Sequence, residues 1–274
     1  ARMEPWALMS HTSEYPWRLA NDADFDINGG LTPQGVYRRI VWGSGQTGLF
    51  CADPATFGKT EIISKWGWPQ VSADWNWKGQ EGRPVRVLAY SAADEVELFL
   101  DGKSLGKQAA GKANRYTAAF DVIYAPGTLE AVSITDGAEV SRAILKTAGE
   151  PAAIRLTVEN TSASAAGSHA PAIASDGHSL ACVLVEIVDA QGMRVPDAAV
   201  FLTAGVTGAG SLAGFGSANP ITQENYTAGH FTTWQGRALA IVRSGYECGE
   251  IALNVRTDGD PRLNCEASVL IQAV

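Results

Sequence analysis

The stretch PVRVLAY at residues 84–90, followed by EVELFLDG at residues 95–102, decides the fold that the sequence predicts. In both segments every second side chain is apolar, which is the period of a β-strand with one buried face. The dipeptide Asp101-Gly102 is typical of a tight hairpin, because such turns need positive φ at both central residues. These residues therefore predict neighbouring antiparallel strands.

Further short segments of this kind continue to the C-terminus, separated by turn residues such as Asp136-Gly137. Short strands at this spacing are typical of β-sandwiches. The tripeptide Gly149-Glu150-Pro151 interrupts the pattern. The sequence is therefore predicted to be all-β, with one immunoglobulin-like sandwich over residues 71–148 and a second, in tandem, over residues 149–274. The Gly-rich run from Gly205 to Gly216 is interpreted as a loop.

Residues 1–70 are rich in Trp and Pro, unlike the strand-like segments that follow, and contain the clearest helix signal. Thr32 can cap a helix, and Pro33 suits the first helical position because its missing N–H is not needed there. The helix is predicted to end before Gly43-Ser44-Gly45. Its apolar face would comprise Val36, Tyr37, Ile40 and Val41.

Charge and length exclude several classes of function. The 274 residues carry a formal net charge of −8, and the isoelectric point is about 5.0. Nucleic-acid binding is not expected, because it needs a basic surface. No apolar run approaches the roughly 18–20 residues that cross a bilayer, so no membrane partner is expected. The opening ARMEPW resembles neither a signal peptide nor a natural initiator, which suggests a fragment or a processed chain.

The cysteines leave the redox compartment open. Cys51, Cys182, Cys248 and Cys265 lack the Cys-x-x-Cys spacing of a metal site. They are interpreted as small buried thiols, with a disulfide among the last three as the alternative. A bacterial protein that is periplasmic or secreted is favoured over a cytoplasmic one. No metal or other cofactor is predicted.

Three stretches, read in order, resemble the C-terminal part of glycoside hydrolase family 2, the family of β-galactosidases and β-glucuronidases. The first runs from Tyr15-Pro16-Trp17-Arg18 to Trp42 and is similar to the end of the catalytic (β/α)₈ barrel and its closing helix. The second is DWNWKG at residues 74–79 with the strands that follow it. The third runs from Asp176 to Ser244 and is similar to the terminal immunoglobulin-like domain of the family.

The resemblance implies a parent enzyme that hydrolyses a terminal β-glycoside with retention, using two carboxyl groups about 5 Å apart. In the family both glutamates lie on earlier barrel strands, and no residue of this chain matches either motif. No catalytic residue is therefore assigned, and the isolated chain is expected to be inactive. Residues 1–70 would be a short, partly helical remnant of the barrel and a linker. The two sandwiches would support the barrel, shape the rim of the active site, and contact carbohydrate or a second copy of the chain.

Asp22, Asp24 and Asp26 are candidate site residues, because carboxylates two apart on an extended segment lie on one side. Loop capping near the helix is the main interpretation. The alternatives are catalysis and contacts to sugar hydroxyls at the barrel mouth, for which Asp24 and Asp26 are the substrate-binding candidates.

Trp66, Trp68, Trp75 and Trp77 place four indoles within twelve residues. Indoles bury large areas at domain interfaces, and their faces can also stack on sugar rings. Docking is the main interpretation, and Trp75 and Trp77 are the substrate-binding candidates.

Two functions from other classes remain as alternatives. One is a non-enzymatic bacterial surface protein built of immunoglobulin-like modules, and the other is a free-standing carbohydrate-binding module. The helical segment before the first sandwich favours the glycosidase, because a surface protein of that kind does not need a barrel-closing helix.

Overall fold

The computed structural model describes residues 23–274 except residues 62, 64–66, 161–162, 165–170 and 260–262. The contacts divide the chain into two compact units, the first ending at Thr147 and the second beginning at Ala148. Most of the regular structure is β-strand, and the described residues contain one α-helix. The prediction of an all-β protein is confirmed at this level. The division at residue 70 stays a prediction.

The helix, α1, spans Pro33–Val41, as its capping signals predict. Thr32 accepts a hydrogen bond from the backbone N–H of Gly35 at 3.2 Å, and Pro33 occupies the first turn. After the helix, unit 1 is built of strands and two short 3₁₀ turns. The strands are β1 (Gly48–Cys51), β2 (Pro84–Tyr90), β3 (Glu95–Leu100), β4 (Lys103–Ala109), β5 (Thr117–Ile123), β6 (Thr128–Thr135) and β7 (Ala138–Lys146).

Unit 1 consists of two antiparallel sheets that share one core. The sheet orders are β1-β2-β5 and β4-β3-β6-β7. The predicted hairpin between β3 and β4 is present, with positive φ at Asp101 and Gly102. Alternate residues of β2 and β3 are buried, as the period of two predicts. The buried set includes Val85, Val87, Ala89, Val96, Leu98, Phe120, Leu129 and Ala131.

Unit 2 also consists of two sheets, with the orders β13-β15-β11-β8 and β14-β12-β16-β17-β10-β9. The pairing of β10 with β17 is parallel, and the other pairs are antiparallel. Its strands are β8 (Ala153–Asn160), β9 (Ala163–Ser164), β10 (Pro171–Ile173), β11 (Leu180–Val188), β12 (Phe201–Gly208), β13 (Gly210–Gly216), β14 (His230–Thr232), β15 (Arg237–Ser244), β16 (Gly249–Thr257) and β17 (Glu266–Ala273).

The interpretation of the Gly-rich run as a loop is wrong. Most of it lies in β12 and β13, and two of its glycines, Gly210 and Gly216, make room for neighbouring groups. A Cβ at Gly216 would lie 2.1 Å from the ring of Tyr226, and a Cβ at Gly210 would lie 2.7 Å from the carbonyl oxygen of Arg243. Glycine is needed where another group approaches the backbone this closely.

Candidate functional site

Asp24 connects the segment before the helix to the helix itself. Arg38 Nη1 donates to Asp24 Oδ2 at 2.9 Å, and the backbone N–H of Thr32 donates to the Asp24 carbonyl at 3.0 Å. The Thr32 hydroxyl also donates to the carbonyl of Ala23, at 2.8 Å. The carboxylate of Asp24 is thus engaged in an ion pair within the helical segment.

Asp26 organises the turn that follows Asp24. Its Oδ1 accepts hydrogen bonds from the backbone N–H groups of Asn28 and Gly30, each at 2.9 Å. Gly29 completes the turn with positive φ and donates to the carbonyl of Asp26 at 3.0 Å. These contacts are those of a loop-capping aspartate, the main interpretation of the sequence. The alternative of sugar contacts at Asp24 and Asp26 stays a prediction, and Asp22 lies outside the described residues.

An aromatic cluster fixes the helix against the sheet of β1, β2 and β5. Tyr37 of α1 lies 4.9 Å from Trp68 and 5.3 Å from Tyr90, measured between ring centroids. Trp68 Nε1 donates to the hydroxyl of Tyr90 at 3.1 Å. Burial raises the pKa of Tyr90 to about 12, so this hydroxyl stays protonated at neutral pH. Trp68 is thereby explained as a packing residue.

Exposed apolar side chains lie at both ends of the helical segment. Phe25 and Ile27 are exposed before the helix, and Trp42, directly after it, is 87% exposed. Isolated apolar side chains on a surface are common, but an almost fully exposed indole is unusual. This segment therefore presents apolar area that the described residues of unit 1 leave exposed.

Trp75 and Trp77 lie in the core of unit 1. They are 1% and 5% exposed. Trp75 Nε1 donates to the carbonyl of Ala125 at 3.0 Å, and its ring lies 4.9 Å from that of Tyr124. The Tyr124 hydroxyl accepts from the backbone N–H of Trp77 at 3.0 Å. Neither docking nor sugar stacking accounts for this burial, because both need an exposed ring face, and sugar stacking at either residue would require the core to open.

The four cysteines are the remaining groups that could carry chemistry. Cys51 is buried, and burial together with the nearby charge of Asp74 raises its pKa well above its ordinary value. Cys182, Cys248 and Cys265 form no disulfide with one another, and Cys248 is exposed instead of buried. Within the described parts of the chain, no cluster of His, Cys, Asp or Glu has a metal-binding arrangement, and no helix is both long and apolar enough to cross a membrane. Trp66 lies outside the described residues.

Comparison with known families relates most of this fold to carbohydrate-active enzymes. Residues 167–262 match the family model "glycoside hydrolase family 2 C-terminal domain 5", and residues 82–141 match a domain of unknown function, DUF4982. A family 2 member from Bacteroides cellulosilyticus shares 32% identity and a TM-score of 0.83 over 96% of this chain. The chain belongs to the C-terminal region of glycoside hydrolase family 2. The resemblance seen in the sequence is confirmed.

Two further relatives define how much of the family architecture this chain represents. The β-galactosidase BoGH2A of Bacteroides ovatus is 29% identical over 93% of the chain, and a putative β-glucuronidase of Formosa agariphila is 30% identical over 57%. The chain spans 29% of the length of BoGH2A and 33% of the Bacteroides cellulosilyticus structure. The similarity thus concerns about a third of a family 2 enzyme.

The sequence could identify the helix cap and the strands of this region, but it could not locate the two buried tryptophans. A Trp-rich segment before a strand looks the same whether its indoles face a partner or fold back over their own sheet. The tertiary structure distinguishes them: the hydroxyl of Tyr124, nearly fifty residues later, contacts the backbone of both Trp75 and Trp77.

Proposed function

We propose that this chain is the C-terminal accessory region of a retaining β-glycosidase, and that it supports a catalytic barrel formed by other residues of the parent protein. The observation that carries the proposal is the match of 96% of the chain to about a third of a family 2 structure at a TM-score of 0.83. In this proposal the two sandwiches are immunoglobulin-like, and residues 1–70 are the barrel remnant and linker.

The helical segment supplies the contact with the barrel in this proposal. Trp42 offers an almost completely exposed indole, and Phe25 and Ile27 add apolar area on the preceding loop. Buried aromatic anchors dominate the energy of protein interfaces. Removing these side chains should therefore weaken association with the barrel without unfolding unit 1.

The parent would hydrolyse a terminal β-galactoside, which is the activity named for BoGH2A. The chemistry needs two carboxyl groups, one as nucleophile and one as acid and base. We assign both to the barrel of the parent, because the carboxylates of Asp24 and Asp26 are occupied by Arg38 and by backbone N–H groups. The chain itself would contribute support and the rim of the active site.

The test uses the parent enzyme and matched variants on the helical segment. Trp42→Ser and Phe25→Ser are introduced into the parent, with Val140→Ser as the control, because Val140 is 56% exposed on β7. Turnover of a nitrophenyl β-galactoside and the melting temperature are measured. We expect the first two variants to lower both and the control to change neither. Wild-type behaviour of both Trp42→Ser and Phe25→Ser would contradict the docking role.

A further inference from the structure

The chain passes from unit 1 to unit 2 through the segment Ala148-Gly149-Glu150-Pro151, which we call the joint. Boundaries between domains commonly fall in exposed, flexible linkers that are rich in glycine and proline. The joint has this composition, and Gly149 and Glu150 are exposed. The hydrogen bonds on either side of it are nevertheless those of an ordered connection.

Unit 1 holds Thr147, the last residue before the joint. The backbone N–H of Thr147 donates to the carbonyl of Gly127 at 3.0 Å, and its hydroxyl donates to the carbonyl of Trp75 at 2.8 Å. The same hydroxyl accepts from the backbone N–H of Gly127 at 3.1 Å. Trp75 belongs to the core of unit 1. Thr147 is thus fixed to its own unit through both its backbone and its side chain.

Unit 2 holds the joint itself. Ala148 packs against the core of unit 2, and the backbone N–H of Gly149 donates to Oδ2 of Asp189 at 2.7 Å. Directly after the joint, the backbone N–H of Ala152 donates to the carbonyl of Val188 at 2.8 Å, and β8 begins at the next residue. The joint is therefore held near its start by Asp189 and just beyond its end by Val188.

The carboxylate of Asp189 divides its two oxygens between two tasks. Oδ1 closes the turn that Asp189 begins, because it accepts from the backbone N–H groups of Gln191 at 2.9 Å and Met193 at 2.8 Å. Oδ2 accepts from Gly149 in the joint. Asp189 is 5% exposed, and hydrogen bonds to an ionised acceptor are stronger than those between neutral groups. The contact with Gly149 is thus a strong bond made by one buried side chain.

We propose that Asp189 is a latch for the joint: its Oδ2 holds Gly149 in place, and loss of this hydrogen bond frees the joint to rotate while both units stay folded. Crowding does not hold Gly149, because the nearest atom to an added Cβ lies 3.5 Å away. Glycine also has more backbone freedom than other residues. The joint is therefore an ordered connection that one side chain can release. This inference rests on contacts within each unit and does not depend on the proposed function.

Asp189→Asn separates the two tasks of the carboxylate. A carboxamide offers one acceptor oxygen and one NH₂ donor. Two N–H groups point at Oδ1, so the amide oxygen should take that place and the NH₂ group should face the N–H of Gly149, where no hydrogen bond can form. The backbone N–H of residue 189 also donates to the carbonyl of Met193 at 2.8 Å. The variant should therefore keep the turn and lose the latch.

Asp176→Asn is the matched control, because it makes the same substitution in a similar turn of unit 2. Oδ1 of Asp176 accepts from the backbone N–H groups of His178 at 2.8 Å and Ser179 at 2.6 Å. Its remaining hydrogen bonds come from the hydroxyls of Ser179 and Ser244. None of these partners belongs to the joint, so this variant weakens a turn without touching the latch.

The measurements are the backbone ¹⁵N heteronuclear NOE and amide hydrogen exchange of the full 274-residue chain. In the wild type we expect the NOE values of Ala148, Gly149 and Glu150 to equal those of β7 and β8. In Asp189→Asn these values should fall, and the Gly149 amide should exchange about tenfold faster or more. The strands of both units should keep their wild-type values. Asp176→Asn should leave the joint unchanged.

Several results would overturn the latch. Low NOE values for the joint in the wild type would show a flexible linker, and this measurement needs no variant. Unchanged exchange of the Gly149 amide in Asp189→Asn, or equal loosening of the joint in Asp176→Asn, would mean that Asp189 does not hold it. Loss of the strand signals in Asp189→Asn would also overturn the proposal, because the latch must open while both units stay folded.

Discussion

The backbone of Gly35, in the first turn of α1, lies against the carbonyl group of Asp24. A Cβ on Gly35 would lie 2.2 Å from the Asp24 oxygen and 2.9 Å from a methyl carbon of Leu31. The same carbonyl accepts hydrogen bonds from the backbone and the hydroxyl of Thr32. The loop that carries Asp24 and Asp26 is thus fixed to the helix at a point where only glycine fits.

Gly35→Ala should therefore destabilise unit 1. Alanine favours a helix over glycine by about 1 kcal/mol, but the clash with a backbone oxygen forces the loop or the helix to move. Overpacking of this kind costs about 1–3 kcal/mol net. Urea denaturation should show this loss, and Gly205→Ala is the matched control because its Cβ meets nothing. Equal stability of the two variants would contradict the close approach.

Trp75→Ala should strongly destabilise unit 1, because the indole is fully buried and its Nε1 bonds to Ala125. Removing a buried tryptophan typically costs about 3–5 kcal/mol. In the isolated 274-residue chain, where Trp42 is exposed, Trp42→Ala should change stability by less than about 0.5 kcal/mol. Thermal denaturation of the two variants measures the difference. A small effect of Trp75→Ala would mean that the side chain is free to contact a ligand.

Glu186 should be a stabilising residue of unit 2. Its Oε2 accepts from Arg155 Nη2 at 2.6 Å and its Oε1 from Arg237 Nε at 3.1 Å. Burial raises the pKa of Glu186, but the hydrogen bond from Arg155 and the charge of Arg237 outweigh it, so the pKa lies below its ordinary value. Glu186→Gln should cost about 1–3 kcal/mol, because it removes the negative charge of a buried side chain that accepts from both arginines, and hydrogen bonds to charged groups are the stronger ones.

A surface ion pair provides the control for this variant. Glu139 bonds to Arg142 on the exposed side of β7, and exposed pairs contribute little. Chemical denaturation of Glu139→Gln should therefore resemble that of the wild type. If Glu186→Gln were as stable as Glu139→Gln, the pairing with Arg155 and Arg237 would not contribute to folding.

Asp176 should make unit 2 sensitive to acid. Backbone N–H groups of Ser179 and His178, with the Ser179 hydroxyl, lower the pKa of Asp176 to about 2. The unfolded value is about 3.9, so this stabilisation is present above about pH 4 and is lost as the pH falls towards 2. The stability gap between wild type and Asp176→Asn should narrow over that range. A gap of constant size over that range would contradict the assignment.

Local signals in the sequence were sufficient for much of the fold. Thr32 and Pro33 determine where the helix begins through capping alone, and Asp101-Gly102 forms its hairpin because the turn needs positive φ. Alternation along β2 and β3 reflects burial on one face. Each of these features depends on neighbours in the sequence, so they could be predicted without tertiary contacts.

The features that the sequence could not predict depend on packing between residues that are distant in the chain. The glycines of β13 look like loop residues, but Gly216 makes room for the ring of Tyr226, ten residues away. The four-residue strand β1 is buried throughout, so it has no alternation to detect. Trp75 and Trp77 are enclosed by residues of β1, earlier in the chain, and of several later strands, and no local pattern records this.

The central claim is that this chain supports catalysis without performing it. The most direct measurement is kcat/KM for a nitrophenyl β-galactoside, compared between the isolated chain, the parent enzyme and the parent lacking this region. The account predicts no turnover by the chain, full turnover by the parent, and reduced turnover and stability for the truncated parent. Genuine turnover by the isolated chain, or an unaffected truncated parent, would contradict it.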